Sequence, residues 1–284
     1  MQQKRFRVRP LCKAFGAELT GVDLSRPVDK ELYAAIRAAF VDYQLLLFRD
    51  QDLSPAGHVA IGRSFGEVQI HVMSQYHADG FPELYFLSNL DEHGEPSGRH
   101  PDRGTLAWHS DGSWRRVTGQ ATMLYAIEVP RVGGETHFCD MYAAYEALGE
   151  DMKARVAGLR AVHNLDFSRT RRHGEDPMSE AQRREVPPVD HPVIRTHPET
   201  GRKCIFLGDH AETIVGLDYQ DGRRLVEEIN ALAIRPELVY RHVWRPGDLA
   251  IWDNRCLMHR ATPYDTARER RVMRRCTILG EVPH

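Results

Sequence analysis

Apolar positions recur with two different periods along the chain, and each change of period marks a change of element. Phe15 to Leu24 carries short apolar and β-branched runs broken at Gly16 and Gly21, which predicts short strands. From Pro27 to Tyr43 the apolar positions Leu32, Ile36, Ala39, Phe40 and Tyr43 return at helical spacing, and Asp29 stands ready as a cap. The apolar run YQLLLF then predicts a buried strand. Ser54-Pro55 supplies a cap and first-turn pair for a second helix, with Val59 and Phe65 on its apolar side. Residues 89–104, NLDEHGEPSGRHPDRG, hold no apolar run and predict a long loop placed to act as a lid. Beyond it TLAWHSD, ATMLYAIEV and, after the Gly133-Gly134 turn, ETHFC read as short strands. Met141 to about Leu159 reads as helical, and residues 168–188 as a charged, mobile surface insert. The strand pattern resumes in HPVIRTH, KCIFLG, DLAIWD and RVMRRCTIL. One amphipathic helix lies among them, marked by Leu225, Ile229 and Leu232.

Short strands around inserted helices favour a mainly β fold with flanking helices, a sandwich or open barrel, over a parallel doubly wound sheet. The reading is one domain over 1–284 with inserts near 89–104 and 168–188. At 284 residues the chain is long enough for a large core. Its 38 Lys and Arg against 40 Asp and Glu leave a charge of -2, so nothing asks for nucleic acid or an anionic membrane. The apolar stretch Leu45–Phe48 is far below the roughly 20 residues of a membrane span. No apolar region follows the basic opening MQQKRFRVRP, so the expected location is cytoplasmic. Five scattered cysteines without a C-x-x-C pair predict free thiols and give no zinc site. The chain also lacks G-x-G-x-x-G and P-loop motifs.

The chemistry-bearing segment is Trp108-His109-Ser110-Asp111. On a strand or at its end, His109 and Asp111 project to one face, where an imidazole and a carboxylate can share a divalent ion while Ser110 points away. Alone, the pair is weak, since surface or hydrogen-bonded His and Asp residues are common. A third ligand changes the reading, because two histidines and one carboxylate leave open positions on Fe(II). His259, leaving the core strand DLAIWD by a short connection, is placed to close such a site or to stand as an isolated rim histidine. In RRVMRRCTIL, strand periodicity puts Arg271, Met273 and Arg275 on one face and Arg270, Val272 and Arg274 on the other. Buried guanidinium groups require anions, from the protein or from small molecules. Thr136 offers a hydroxyl that can share such an anion, although a strand threonine is commonly only a β-former.

WHSDGSW, VGGETHFCDM, WDNRCLMHR and RRVMRRCTILG, in this order and spacing, resemble the taurine dioxygenase and 2,4-dichlorophenoxyacetate dioxygenase (TauD/TfdA) family of Fe(II)- and 2-oxoglutarate-dependent enzymes. The resemblance runs from GAELTGVDLSRPV to the closing strand. CDMYAAYEAL, SEAQRREVPPV and VYRHVWRPGDLAIWDNRC are nearer to the herbicide-cleaving, aryloxyalkanoate branch. It implies a distorted jelly roll, or double-stranded β-helix of cupin-like form. It also implies that His109, Asp111 and His259 bind Fe(II). Thr136 and Arg271, the latter rather than Arg270, would hold the distal carboxylate of 2-oxoglutarate, and Trp252 would line that side. Arg275 matches the position for the primary substrate's acidic group. His71 falls near the same end, with Ser74 or Tyr76 in the place of a family tyrosine, and Thr105 joins the set expected to face substrate.

The implied reaction couples O2 and the oxidative decarboxylation of 2-oxoglutarate, giving succinate and CO2, to hydroxylation of a substrate C–H. Next to an ether oxygen the product is a hemiacetal that falls apart. Expected partners are a small anionic organic substrate and, as an open alternative, a second copy or three in a homodimer or homotetramer. Three readings stand together: a dioxygenase of an aryloxyalkanoate such as 2,4-dichlorophenoxyacetate, with ether cleavage, favoured over a sulfonate or alkyl sulfate; a redox-inert cupin-like enzyme using another metal; and a noncatalytic carboxylate-binding jelly roll. Dependence of turnover on 2-oxoglutarate and O2 separates them.

Overall fold

A computed structural model describes residues 5–284. Its frame is an eight-stranded sheet in the spatial order Arg7–Pro10, Ala17–Thr20, Leu45–Phe48, Leu249–Asp253, Gly119–Glu128, Val272–Leu279, Phe81–Ser88, His77–Ala78. The pairs are antiparallel except Ala17–Thr20 with Leu45–Phe48. Strict side-chain alternation sorts its central strands between two cores. Leu124, Ala126, Ala250, Trp252 and Met273 face one core. Met123, Tyr125, Leu249, Ile251 and Cys276 face the other. Burial on both faces explains why these strands read as continuous apolar runs in the sequence.

Helices cover the second face. Lys30–Tyr43 begins at Asp29, whose carboxylate accepts the Leu32 N–H, and buries Ile36, Ala39 and Phe40. Pro55–Phe65 begins at Ser54, whose hydroxyl accepts the Gly57 N–H. Both caps lie where the sequence put them. The first face is covered by a three-stranded sheet of Val239–His242, Thr136–Asp140 and Leu257–Ala261. Phe138 of this sheet meets Trp252 of the large sheet with ring centroids 5.3 Å apart. The result is the distorted jelly roll with flanking helices, and the candidate site lies between its two sheets. No helix among the described residues is long and apolar enough to cross a membrane.

Several elements differ from expectation. TLAWHSD is not a sheet strand: Arg103–Leu106 is a 3-10 turn, and only His109 makes a bridge, to His259. Asp102 causes the turn by accepting the Gly104 N–H on its side chain, which curls the chain before it can extend. The helical stretch after Met141 is two helices, Met141–Glu146 and Glu150–Val156, divided at Gly149. HPVIRTH splits into Val189–Pro192 and Ile194–Thr196. Residues 168–188 are not simply a surface insert, since Met178 and Val186 are buried with Val72, Met73, Trp114 and Leu165. Its charged sequence hid these apolar anchors. The 89–104 loop is pinned at its root by Asn89, whose amide donates to the Thr266 and Glu269 carbonyls.

Candidate active site

The metal candidate is built by one short piece of backbone pairing. His109 and His259 exchange both N–H···O bonds, at 3.0 and 2.8 Å, as a single antiparallel bridge. Residues directly opposite in such a pair send their side chains to the same side, so the two imidazoles meet with centroids 4.3 Å apart. Asp111, two residues beyond His109, returns to that side. Ser110 turns away and donates to the Leu257 carbonyl at 2.9 Å.

His109 Nε2 lies 3.7 Å from Asp111 Oδ1, and His259 Nε2 lies 3.5 Å from Asp111 Oδ2. All three ligand atoms fall within 4.8 Å of one another. His109 Nδ1 meets the Ala107 carbonyl at 2.8 Å, so it carries the proton and leaves Nε2 with the lone pair. Burial, reinforced by His109, holds His259 well below the usual imidazole range and keeps it neutral. Burial alone would raise the Asp111 carboxyl, but Arg275, the two histidines and the Thr122 hydroxyl together bring it well below the ordinary value. Two imidazole nitrogens and one carboxylate fit a divalent first-row ion with open positions.

A second cluster, His197, Asp253 and Cys256, also brings ligand-type atoms together. It is already satisfied. His197 Nδ1 accepts the Glu199 and Thr200 N–H groups, so Nε2 carries the proton and donates to Asp253, which Arg255 also grips through Nε and NH2. This is a buried ionic joint, with the Cys256 thiol pushed well up by burial.

Two cavities flank the triad. One, of about 350 Å³, is bounded by Thr136, Trp252, His259 and Arg271. Arg271 is 3 % exposed and has no carboxylate within salt-bridge distance among the described residues. Its Nε donates to the Gly134 carbonyl at 3.3 Å, and burial lowers its guanidinium to about 10. The approach depends on the glycine turn, because a Cβ at Gly134 would stand 2.6 Å from Pro130 Cγ and 3.3 Å from Arg271 Cδ. Trp244 Nε1 donates to Thr136 Oγ1 at 2.9 Å, which leaves the hydroxyl proton free for another acceptor. Arg270 instead faces outward and pairs with Glu128 at 2.5 Å.

The other cavity, of about 510 Å³, is bordered by His71, Tyr85, Asp102, Thr105, Trp114 and Arg275, and also by Leu165, Arg169, His173, Glu175 and His210. His71 Nδ1 accepts the Met73 N–H at 3.1 Å, so its Nε2 carries the proton of the neutral ring. Burial, and then Arg275, holds that ring well below its usual range. Arg275 donates to Asp111 Oδ1 at 2.9 Å and lies 4.3 Å from the Tyr85 ring centre. Its expected orientation toward the cavity is therefore shared with the metal-ligand candidate. Tyr76 does not border the cavity. It stacks on Tyr85 at 4.7 Å, while Ser74 is exposed on a 3-10 turn.

Sequence reasoning missed Thr122, Asn254, Tyr85, Trp244 and His210. Tyr85 and Thr122 sit inside ordinary strand patterns and carry no local signal. Asn254 stood in plain view in WDNRCLMH, beside Trp252.

The family model described as taurine catabolism dioxygenase TauD, TfdA family, matches residues 7–277. The chain belongs to this family. It is 39% identical over 280 residues to an alpha-ketoglutarate-dependent 2,4-dichlorophenoxyacetate dioxygenase of Cupriavidus pinatubonensis, covering 96% of this chain and 97% of that one. It is 36% identical over 283 residues to an (S)-phenoxypropionate/alpha-ketoglutarate-dioxygenase of Sphingobium herbicidovorans, covering 97% and 96%. The solved structure of AAD-2 in complex with Mn(II) and N-oxalylglycine superposes with a TM-score of 0.86 at 33% identity, over 98% of each chain. Family and triad together make this TauD/TfdA member an Fe(II)- and 2-oxoglutarate-dependent dioxygenase by class.

Proposed function

We propose that this TauD/TfdA dioxygenase hydroxylates an aryloxyalkanoate, of the 2,4-dichlorophenoxyacetate or phenoxypropionate kind, at the carbon bearing the ether oxygen. Full-length similarity to the two dioxygenases of those substrates carries the reading. His109, Asp111 and His259 would hold Fe(II), which with 2-oxoglutarate and O2 supplies the oxidising chemistry and yields succinate and CO2. Arg271 and Thr136 fit the distal carboxylate of 2-oxoglutarate. A buried guanidinium without a counter-ion is costly, and a planar carboxylate offers the bidentate partner it lacks.

The primary substrate's carboxylate would meet Arg275 and the Nε2–H of His71, with Thr105 alongside and Tyr76 supporting Tyr85 from behind. The aromatic end would lie toward Met73, Trp114 and Leu165, away from water. Hydroxylation next to the ether oxygen gives a hemiacetal, whose collapse releases the phenol and an oxoacid. The test is a side-by-side assay of 2,4-dichlorophenoxyacetate, both phenoxypropionate enantiomers, taurine and an alkyl sulfate, each scored for its own oxidised product. Faster turnover of taurine or the sulfate than of every aryloxy acid overturns the substrate class.

A further inference from the structure

A fully buried hydrogen-bond chain runs behind the metal-ligand candidate, and each of its atoms has a defined role. Thr122 and Trp252 are register partners on adjacent strands, so their side chains share one face. Asn254, one residue past the end of Leu249–Asp253, has its backbone N–H held by the Gln120 carbonyl at 2.9 Å. Its side chain then bridges three groups. The Asp111 backbone N–H at 3.2 Å and the Trp252 indole N–H at 2.9 Å both meet Asn254 Oδ1. Both are obligate donors, so the atom they share is the amide oxygen and the other is the NH2 group. That Nδ2 donates to Thr122 Oγ1 at 2.9 Å. The hydroxyl proton is thereby excluded from the Asn254 side and points to Asp111 Oδ2, 2.7 Å away.

We infer that Asn254 is a positioning residue for the metal-binding carboxylate, acting through the Thr122 hydroxyl. Its oxygen holds the Asp111 main chain while its nitrogen orients the hydroxyl that fixes the Asp111 rotamer. One amide thus sets both ends of the ligand. The same oxygen holds the indole of Trp252, so the wall of the Arg271 cavity and the carboxylate are registered by one side chain. Thr122, Trp252 and Asn254 are each 0–1 % exposed, so water offers no substitute for a lost partner. Arg275 restrains only Oδ1 and does not replace the Thr122 contact on Oδ2.

The inference rests on His109, Asp111 and His259 being the metal ligands, and the experiment keeps the two apart. Co(II) binding to the metal-free chain is followed by its visible ligand-field spectrum for wild type, D111A, T122V, T122S and the double variant T122V/N254A, with N254A alone as reference. Thr122→Val keeps the shape and removes the hydroxyl. It should weaken Co(II) affinity roughly 10- to 100-fold and alter the spectrum, the usual cost of losing a partner that orients a ligand. Thr122→Ser restores the hydroxyl and should stay within about threefold of wild type, which a packing role for the methyl group would not give. The double variant should bind about as weakly as the weaker single one, since both act on one chain of contacts. Wild-type affinity and spectrum in T122V overturn the inference, as do fully additive losses in the double variant. If N254A does not fold, N254D takes its place: its carboxylate still accepts the Asp111 and Trp252 N–H groups but draws the Thr122 proton to itself, so it should weaken Co(II) binding as T122V does, and wild-type affinity and spectrum in it overturn the inference. Undiminished Co(II) binding in D111A overturns the metal assignment itself.

Discussion

The two cavities that meet at the triad are built from opposite materials. The Arg271 cavity is walled by strands, with Thr136, Trp252 and Ala261 set by sheet register and a guanidinium left without a carboxylate. The Arg275 cavity is walled largely by loops and by the 165–178 segment, and its arginines are paired within the protein. Arg275 is paired with Asp111, Arg169 with Glu175, and Arg172 and His173 with Asp209. Arg271 and Arg275 are four residues apart on the same side of one chain segment, yet one is uncompensated and the other is not. An uncompensated buried cation favours any anion that fits, so the first cavity offers an anion a partner without displacing one. In the second, a guest must compete with existing partners, and loop-borne partners change more readily than sheet register.

Removing Asp111 erases the contrast and should have the largest effect. D111A takes away a metal-ligand candidate and the counter-ion of Arg275 together. Succinate formation should fall to background while the metal-free chain stays folded, as circular dichroism and metal content after gel filtration would show. Unchanged iron content and turnover would break the picture.

Arg271→Lys keeps the charge and loses the planar fork. The 2-oxoglutarate concentration for half-saturation should rise roughly 10- to 100-fold, with the primary substrate's requirement nearly unchanged. An equal rise in both would mean the cavities are not separate.

The loop-walled side has its own pH signature. Burial alone would raise Asp209, but the hydrogen bond from His173 and the charges of His210 and Arg172 lower its carboxyl from 3.8 to about 2. A carboxyl depressed in the fold stabilises above its unfolded value, and this is lost as pH falls from about 4 toward 2. D209N should therefore lower stability at neutral pH by about 2 kcal/mol and flatten the acid limb of the unfolding profile. Denaturant melts of the metal-free protein between pH 2 and 7 measure it, and 2-oxoglutarate binding should barely change.

Arg275→Gln should raise the primary-substrate requirement about tenfold and that for 2-oxoglutarate less than about threefold. Equal impairment of both saturation curves would remove the separate role of Arg275. Smallest is Trp244→Phe, which deletes only the indole donor to Thr136. Half-saturation by 2-oxoglutarate should move by no more than about threefold, because the hydroxyl keeps its own proton to donate.

Much of this was legible in the chain. The Asp29 and Ser54 caps, the apolar strands YQLLLF and DLAIWD, and the His109-x-Asp111 spacing are local patterns governed by steric period and capping chemistry. The resemblance of WHSDGSW, WDNRCLMHR and RRVMRRCTILG added the family and the third ligand, which spacing alone left open. TLAWHSD misled because a β-like composition cannot reveal that the Asp102 side chain would curl the preceding turn. Residues 168–188 misled because their charge dominated the reading, whereas Met178 and Val186 join a cluster with Leu165 that is completed by Val72, Met73 and Trp114, far away in sequence.

The sequence by itself determined the capped helices and the apolar strands, and its ordered motifs carried the family and with it the metal-ligand candidates, since short-range periodicity and motifs are properties of neighbouring residues. Tertiary structure alone decided which charges are compensated. Whether Arg271 lacks a carboxylate and Arg275 has one depends on Asp111, 164 residues from Arg275, arriving at 2.9 Å. It also depends on Thr122 and Asn254 crossing 132 residues to hold that carboxylate in place. Such pairings follow from strand order and register across the sheet, and no local pattern encodes them.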